Sequence, residues 1–261
     1  LFRSAAPVNE KALTQIAQER EVIKWDDDRG MIVGNLEKRI GNLVLQSKPL
    51  ASISKEKKNI VLVEAIRSGG LKMLGWSEDQ QEWQARIISL RKWNPNENWP
   101  DVSDENLCAS LEEWLLPYLN DITKRTELQR LDVSAILSGI LPWELTNRLD
   151  LLAPSRLEVP SGSMIKLVYH QDGQTPVMAV RLQEVFGLLE TPTVNQGKMK
   201  VMMHLLSPGH KPVQVTQDLH SFWQNTYSDV RKELRMRYPR HSWPEDPWTA
   251  KAVRGAVKKR S

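Results

Sequence analysis

Arg231 and Arg235 stand four residues apart near the end of the chain, with Lys232 beside them and Val230 and Leu234 spaced to face the other way. On a helix this spacing gathers positive charge on one face and apolar surface on another, so the segment can pack while its outer side meets phosphate. Arg237 follows, and Arg240, His241 and Trp243 then lie between Pro239 and Pro244. Charge interleaved with rings suits backbone phosphates and stacked bases. The plainer reading of the same segment is that Arg237 and Tyr238 pin it to its domain and that Trp243 fills a groove. Arg231, Lys232, Arg235, Arg237, Arg240, His241 and Trp243 are therefore candidate nucleic-acid contacts, with packing as the alternative.

The charge distribution points the same way. Residues 1–154 hold 20 Lys and Arg against 23 Asp and Glu, a balance of −3, whereas residues 155–261 hold 16 against 9, a balance of +7. Residues 231–261 alone carry ten Lys and Arg against three Asp and Glu, again +7. A near-neutral body with a basic end predicts a polyanionic partner, chiefly nucleic acid, or else a solvated tail.

Other chemistry is missing from the motifs. There is no G-x-x-x-x-G-K-[ST] phosphate loop, no G-x-G-x-x-G and no G-x-S-x-G elbow. Pro160-Ser161-Gly162-Ser163 reads as a turn between strands. His170, His204, His210, His220 and His241 never fall at H-x-x-x-H or H-x-x-E-H spacing, which argues against zinc. Glu112 and Glu113 are neighbours that point apart on a helix and cannot pair as acid and base. Asp26-Asp27-Asp28 invites a calcium loop, but with Asp26 first the sixth position is Met31 rather than glycine, so a hairpin turn is expected. Arg86 and Arg91 are arginines that can meet phosphate or simply water.

The 261 residues suffice for two ordinary domains, and 40% hydrophobic with 26% charged residues excludes a disordered or membrane-embedded chain. No apolar run reaches the roughly 18 residues of a membrane span and no signal peptide opens the chain, so no membrane partner is expected. A single cysteine, Cys108, leaves no disulfide framework and predicts a reducing, cytoplasmic setting. Beside the Leu107, Leu111 and Leu115 stripe it reads as a small core residue. The first residue is Leu1 rather than Met, which predicts a fragment or a processed product.

The fold class predicted is α+β: a helical middle block with flanking antiparallel β-structure, OB-like as a partly open small barrel or curled sheet, and C-terminal helices. Residues 1–50 read as a β-rich segment, with strands around 21–25, 31–33 and 42–46. Residues 51–153 read as a helical domain. Within it, Ser77 caps a helix carrying Trp83, Ile87, Leu90 and Trp93, and Ser103 caps one carrying Leu107, Leu111, Trp114 and Leu115 until Pro117. Residues 154–261 shift to a period of two, with strands near 165–169, 177–181, 199–206 and 213–215 and a short helix at 182–186. Two closing helices follow, the first capped by Thr216.

Long strings then carry a resemblance. LLAPSRLEVPSGSMIKLVYH (151–170), PVMAVRLQEVFGLLETPTV (176–194), VMMHLLSPGHKPVQVTQDLHSFWQNTY (201–227) and VRKELRMRYPRHSWPEDP (230–247) resemble the C-terminal region of the bacterial HrpB family of ATP-dependent helicases, of the DEAH-box group. VIKWDDDRGMIV (22–33), RIGNLVLQSKPL (39–50) and WPDVSDENLCASLEEWLLPYL (99–119) resemble the region before it. The resemblance implies a parent with two RecA-like motor domains, winged-helix and helical-bundle domains, an OB-like domain and a family-specific C-terminal extension. It places the ATP and magnesium sites upstream, so no cofactor and no catalytic residue is expected here. It also puts Leu1–Pro7 inside the OB-like region, which would leave that domain incomplete. The implied role is a non-catalytic auxiliary region that binds single-stranded RNA or other nucleic acid and touches the motor domains. The alternative is a docking module without RNA contact.

Overall fold

The computed structural model describes residues 16–256. The Leu1–Pro7 stretch and the Lys258-Lys259-Arg260 run of the basic end lie outside the described residues. The chain divides into two units: Leu1–Ser77 with Asp104–Ile140, and Glu78–Ser103 with Leu141–Ser261. The boundaries expected at 50/51 and 153/154 do not follow this division. The helical block is shared between the units: the Glu78–Trp93 and Trp143–Leu152 helices belong to the second, and the other helices of the block to the first.

In the first unit, β1 (Gln18–Asp26), β2 (Met31–Ile40) and β3 (Leu43–Pro49) form an antiparallel meander. The acidic turn is a hairpin, as its residue types require. Asp26 Oδ1 accepts the Arg29 N–H at 3.0 Å, and Gly30 takes φ 60, a left-handed position that glycine occupies without strain. A helix at Lys55–Gly69 follows, its first turn capped by Ser54, and buries Leu62, Val63 and Ile66. The helix expected from Ser103 to Pro117 is instead two pieces, Asp104–Ala109 and Leu111–Trp114. Ser110 interrupts it by turning its hydroxyl back onto Asn106 O at 2.8 Å. The apolar stripe survives the break, with Leu107, Leu111, Trp114 and Leu115 all buried.

The second unit is built on a five-stranded sheet. Its strands are β4 (Arg156–Glu158), β5 (Met164–Val168), β6 (Val177–Arg181), β9 (Met202–Leu206) and β10 (Pro212–Thr216), ordered β10-β9-β6-β5-β4. A separate hairpin joins β7 (Thr193–Val194) to β8 (Met199–Lys200). The sheet corrects one expectation. β6 and β9 pair in parallel, from Val177 opposite Met202 to Arg181 opposite Leu206, so the sheet is not wholly antiparallel. Among the described residues no barrel closes, because the order leaves β10 and β4 as free edges, and the OB-like form is not confirmed. The cause lies in the connection from β6 to β9. It runs through a 3-10 turn at Leu182–Glu184 and the β7–β8 hairpin, a crossover long enough to return the chain in the same direction. The period of two still holds: Met178, Val180, Met203 and Leu205 point inward and are buried.

The two closing helices are one continuous rod. It begins at Asp218, whose carboxylate, not Thr216, caps Ser221 N–H at 2.9 Å. A π-helical turn at Phe222–Thr226 then leads into Tyr227–Arg237. That wider turn brings Phe222, Trp223 and Tyr227 onto one buried side, where they meet Phe186 and each other at ring distances of 5.0 to 6.3 Å.

Candidate nucleic-acid interface

The basic segment closes over the second unit as a strap. Gly187 N–H donates to Pro247 O at 2.9 Å, Val253 N–H to Gln183 O at 2.9 Å, and Gln183 Nε2 to Gly255 O at 2.9 Å. Arg254 Nε donates to Ser161 O at 3.0 Å, which anchors the strap to the Pro160–Ser163 turn. Arg254, one of the cations counted in the sequence, is thus spent on anchoring the chain.

Each candidate has a definite place. Arg231 is turned inward: its side chain is 19% exposed, Nε donates to Trp243 O at 3.0 Å and Nη2 meets Glu245 Oε1 at 2.9 Å. Lys232 pairs with Asp229 at 2.9 Å, and Arg237 with Glu233 at 3.4 Å, both in solvent. His241 Nδ1 lies 2.8 Å from Gln183 Oε1, which accepts its proton. Burial, with the Arg181 charge nearby, holds His241 below the usual histidine range. Trp243 is 9% exposed, and its indole N–H donates to Tyr238 O at 2.9 Å. A ring enclosed this way offers no face to a base, so the stacking role is corrected to groove filling. Arg235 and Arg240 remain, exposed and with no carboxylate in ion-pair range among the described residues.

The two other arginines considered for phosphate are also committed. Arg86 is buried, its guanidinium bonded to Ala153 O and to Asp150. Arg91 donates to Trp99 O at 2.8 Å. The sequence reading missed two features. The turn joining β9 to β10 holds His210 and Lys211 in solvent, next to Tyr238. Trp143, at the start of the Trp143–Leu152 helix, is 75% exposed, and Leu151, two turns along it, is 70% exposed. The only signal of either was a Ser-Pro-Gly-His-Lys-Pro turn and a Pro-Trp pair. Among the described residues no helix is long and apolar enough to cross a membrane.

A mixed α/β module with a partly neutralised basic end is the class of fold that carries these residues. Residues 114–247 match the family model described as ATP-dependent helicase C-terminal, and residues 16–50 match the connector region of ATP-dependent RNA helicase HrpB. ATP-dependent RNA helicase HrpB of Escherichia coli K12 is 39% identical over 233 residues, which cover 89% of this chain and 29% of the relative. The crystal structure of the E. coli DExH-box NTPase HrpB superposes with a TM-score of 0.76 at 37% identity, covering 95% of this chain and 31% of that one. A second crystal structure, of the E. coli DEAH/RHA helicase HrpB, gives 0.66 at 37% identity, with 88% and 29% covered. The chain belongs to the HrpB family and corresponds to its C-terminal region. It spans about three tenths of the length of these relatives.

Proposed function

We propose that this chain is a non-catalytic auxiliary region of an ATP-dependent RNA helicase and contributes single-stranded nucleic-acid binding to its parent. The supporting observation is the pair of exposed cations at the end of the rod, Arg235 and Arg240, which no carboxylate neutralises among the described residues. Such groups gain most from displacing counterions on a phosphate backbone. In this reading ATP and magnesium are held by the parent's motor domains, and the chain alone hydrolyses no ATP. The reading places it in the cytoplasm with its parent.

A second reading has its own observation. Trp143 and Leu151 are exposed apolar side chains two turns apart on one helix, and an exposed tryptophan is a strong anchor for a protein surface. These side chains support docking onto the parent's own RecA-like motor domains. Salt separates the two. Binding of labelled single-stranded RNA to the chain should weaken steeply with log salt, whereas an apolar dock hardly responds. Absence of any salt-dependent RNA binding would leave docking as the function.

A further inference from the structure

The turn between β9 and β10 is closed entirely by its main chain and one hydroxyl. Ser207 N–H donates to Lys211 O at 2.8 Å, His210 N–H to Ser207 O at 2.9 Å, and Lys211 N–H to Ser207 Oγ at 3.1 Å. The side chains of His210 and Lys211 take no part in this and stand in solvent. His210 nevertheless sits at φ 58, a left-handed conformation that strains any residue bearing a side chain. Strain of this kind concentrates at ligand clamps. Here it holds out an imidazole that makes no bond within the described chain.

The turn lies against the end of the Tyr227–Arg237 helix. Tyr238 Oη is 3.4 Å from Ser207 Oγ, and a Cβ on Gly209 would fall 2.9 Å from Tyr238 Oη, so the ring packs closely on the glycine. Tyr238 also opens the tight turn that carries Arg240, closed by His241 N–H on Tyr238 O at 3.1 Å. Two segments remote in sequence are thus locked together through one tyrosine. Tyr238 thereby joins the hairpin that carries His210 and Lys211 to the turn that carries Arg240, with Arg235 a turn back along the helix. Arg237 there is offset by Glu233. No carboxylate pairs with Lys211, Arg235 or Arg240 among the described residues.

We propose that the β9–β10 turn and the Tyr238–His241 turn form one phosphate-binding corner, where Lys211, His210 and Arg240 hold neighbouring backbone phosphates of a single strand. The inference rests on the nucleic-acid reading above and adds to it the hairpin that composition did not point to. Phosphate contacts of this kind set affinity and salt dependence without reading sequence.

The test is anisotropy of a short fluorescein-labelled oligouridylate titrated with the full chain across a salt series. A His210→Gly, Lys211→Ala variant keeps the φ 58 backbone and the main-chain closure of the turn while removing both side chains. It should bind several-fold more weakly, with the log–log salt slope flattened by about 0.7 for each phosphate that is no longer neutralised, and with a melting temperature no lower than that of the wild type. Should the double variant melt early, Lys211→Ala alone carries the test. Wild-type affinity and slope in the hairpin variant, together with weakened binding in Arg235→Ala, Arg240→Ala, would overturn the corner while leaving the nucleic-acid reading intact. No salt-dependent binding by the wild-type chain would sink both, and assign these cations to an acidic protein surface.

Discussion

Asn94 and Asn195 bind each other by both ends of their amides. Asn94 Nδ2 donates to Asn195 Oδ1 at 3.0 Å and Asn195 Nδ2 returns to Asn94 Oδ1 at 3.2 Å, with both residues buried. Lys198 Nζ adds a hydrogen bond to Asn94 Oδ1 at 3.3 Å. The pair fastens the end of the Glu78–Trp93 helix to the β7–β8 turn, where Asn195 itself takes φ 52.

Asn195→Ala should therefore cost about 2–3 kcal/mol, because it leaves the buried Asn94 Nδ2 without its acceptor, Lys198 alone remaining on Oδ1, and places alanine in a left-handed conformation. Asn195→Gly keeps the backbone free of strain and should cost less. Urea melts of the three proteins measure this, and equal losses for the two variants would show that the amide pair alone matters.

Arg231 and Arg235 look equivalent in sequence and should behave oppositely. Arg231→Ala removes bonds to Trp243 O and Glu245 and should destabilise by about 1–3 kcal/mol. Arg235→Ala touches nothing and should stay within about 0.5 kcal/mol of wild type. Charge reversal at Arg231, Lys232 and Arg235 together is thus not a fold-neutral probe of binding. A wild-type melting temperature for Arg231→Ala would contradict the inward placement.

Glu184 should give the second unit an acid limb. Burial alone would raise its carboxyl, but hydrogen bonds from Ser163, Arg181 and Ser161 outweigh burial and hold it below the usual glutamate range. Its stabilisation is present above the unfolded pKa of about 4.3 and is lost as pH falls through the lower folded value. Glu184→Gln should be less stable at pH 7, and the gap should close on acidification. Parallel melting curves for the two proteins from pH 7 to the acid limit would rule out this role.

Cys108 should alkylate slowly. Burial, and then the Asp104 carboxylate, push its thiol above the usual cysteine range, so little thiolate exists near neutrality. Iodoacetamide labelling of the folded chain should run several-fold slower than labelling in urea. Equal rates would place the thiol on an open surface.

The features legible in the sequence were those set by neighbours along the chain. Alternation in 177–181 and 202–206 fixed which side chains face inward, because strand side chains alternate whatever the partner strand is. The stripe of Leu107, Leu111, Trp114 and Leu115 was readable for the same local reason, even though Ser110 broke the helix beneath it. The Asp26–Gly30 hairpin and the missing phosphate loop were equally local facts.

Tertiary structure decided what depended on a distant partner. The period of two does not say whether β9 runs with or against β6; the crossover through Leu182–Glu184 and the β7–β8 hairpin decides that. A charge count over 231–261 includes Arg231 and Lys232 at full weight and leaves out Asp229, which lies just before that window. The fold then pairs Lys232 with Asp229 and Arg231 with Glu245, and seals Trp243 under Tyr238 O. It also brings Tyr238, from the end of the last helix, against Ser207 and Gly209 of the β9–β10 turn. Sequence specifies which groups carry charge, but the field a ligand meets depends on which of those groups have already found a counterion, and that is a property of distance in space.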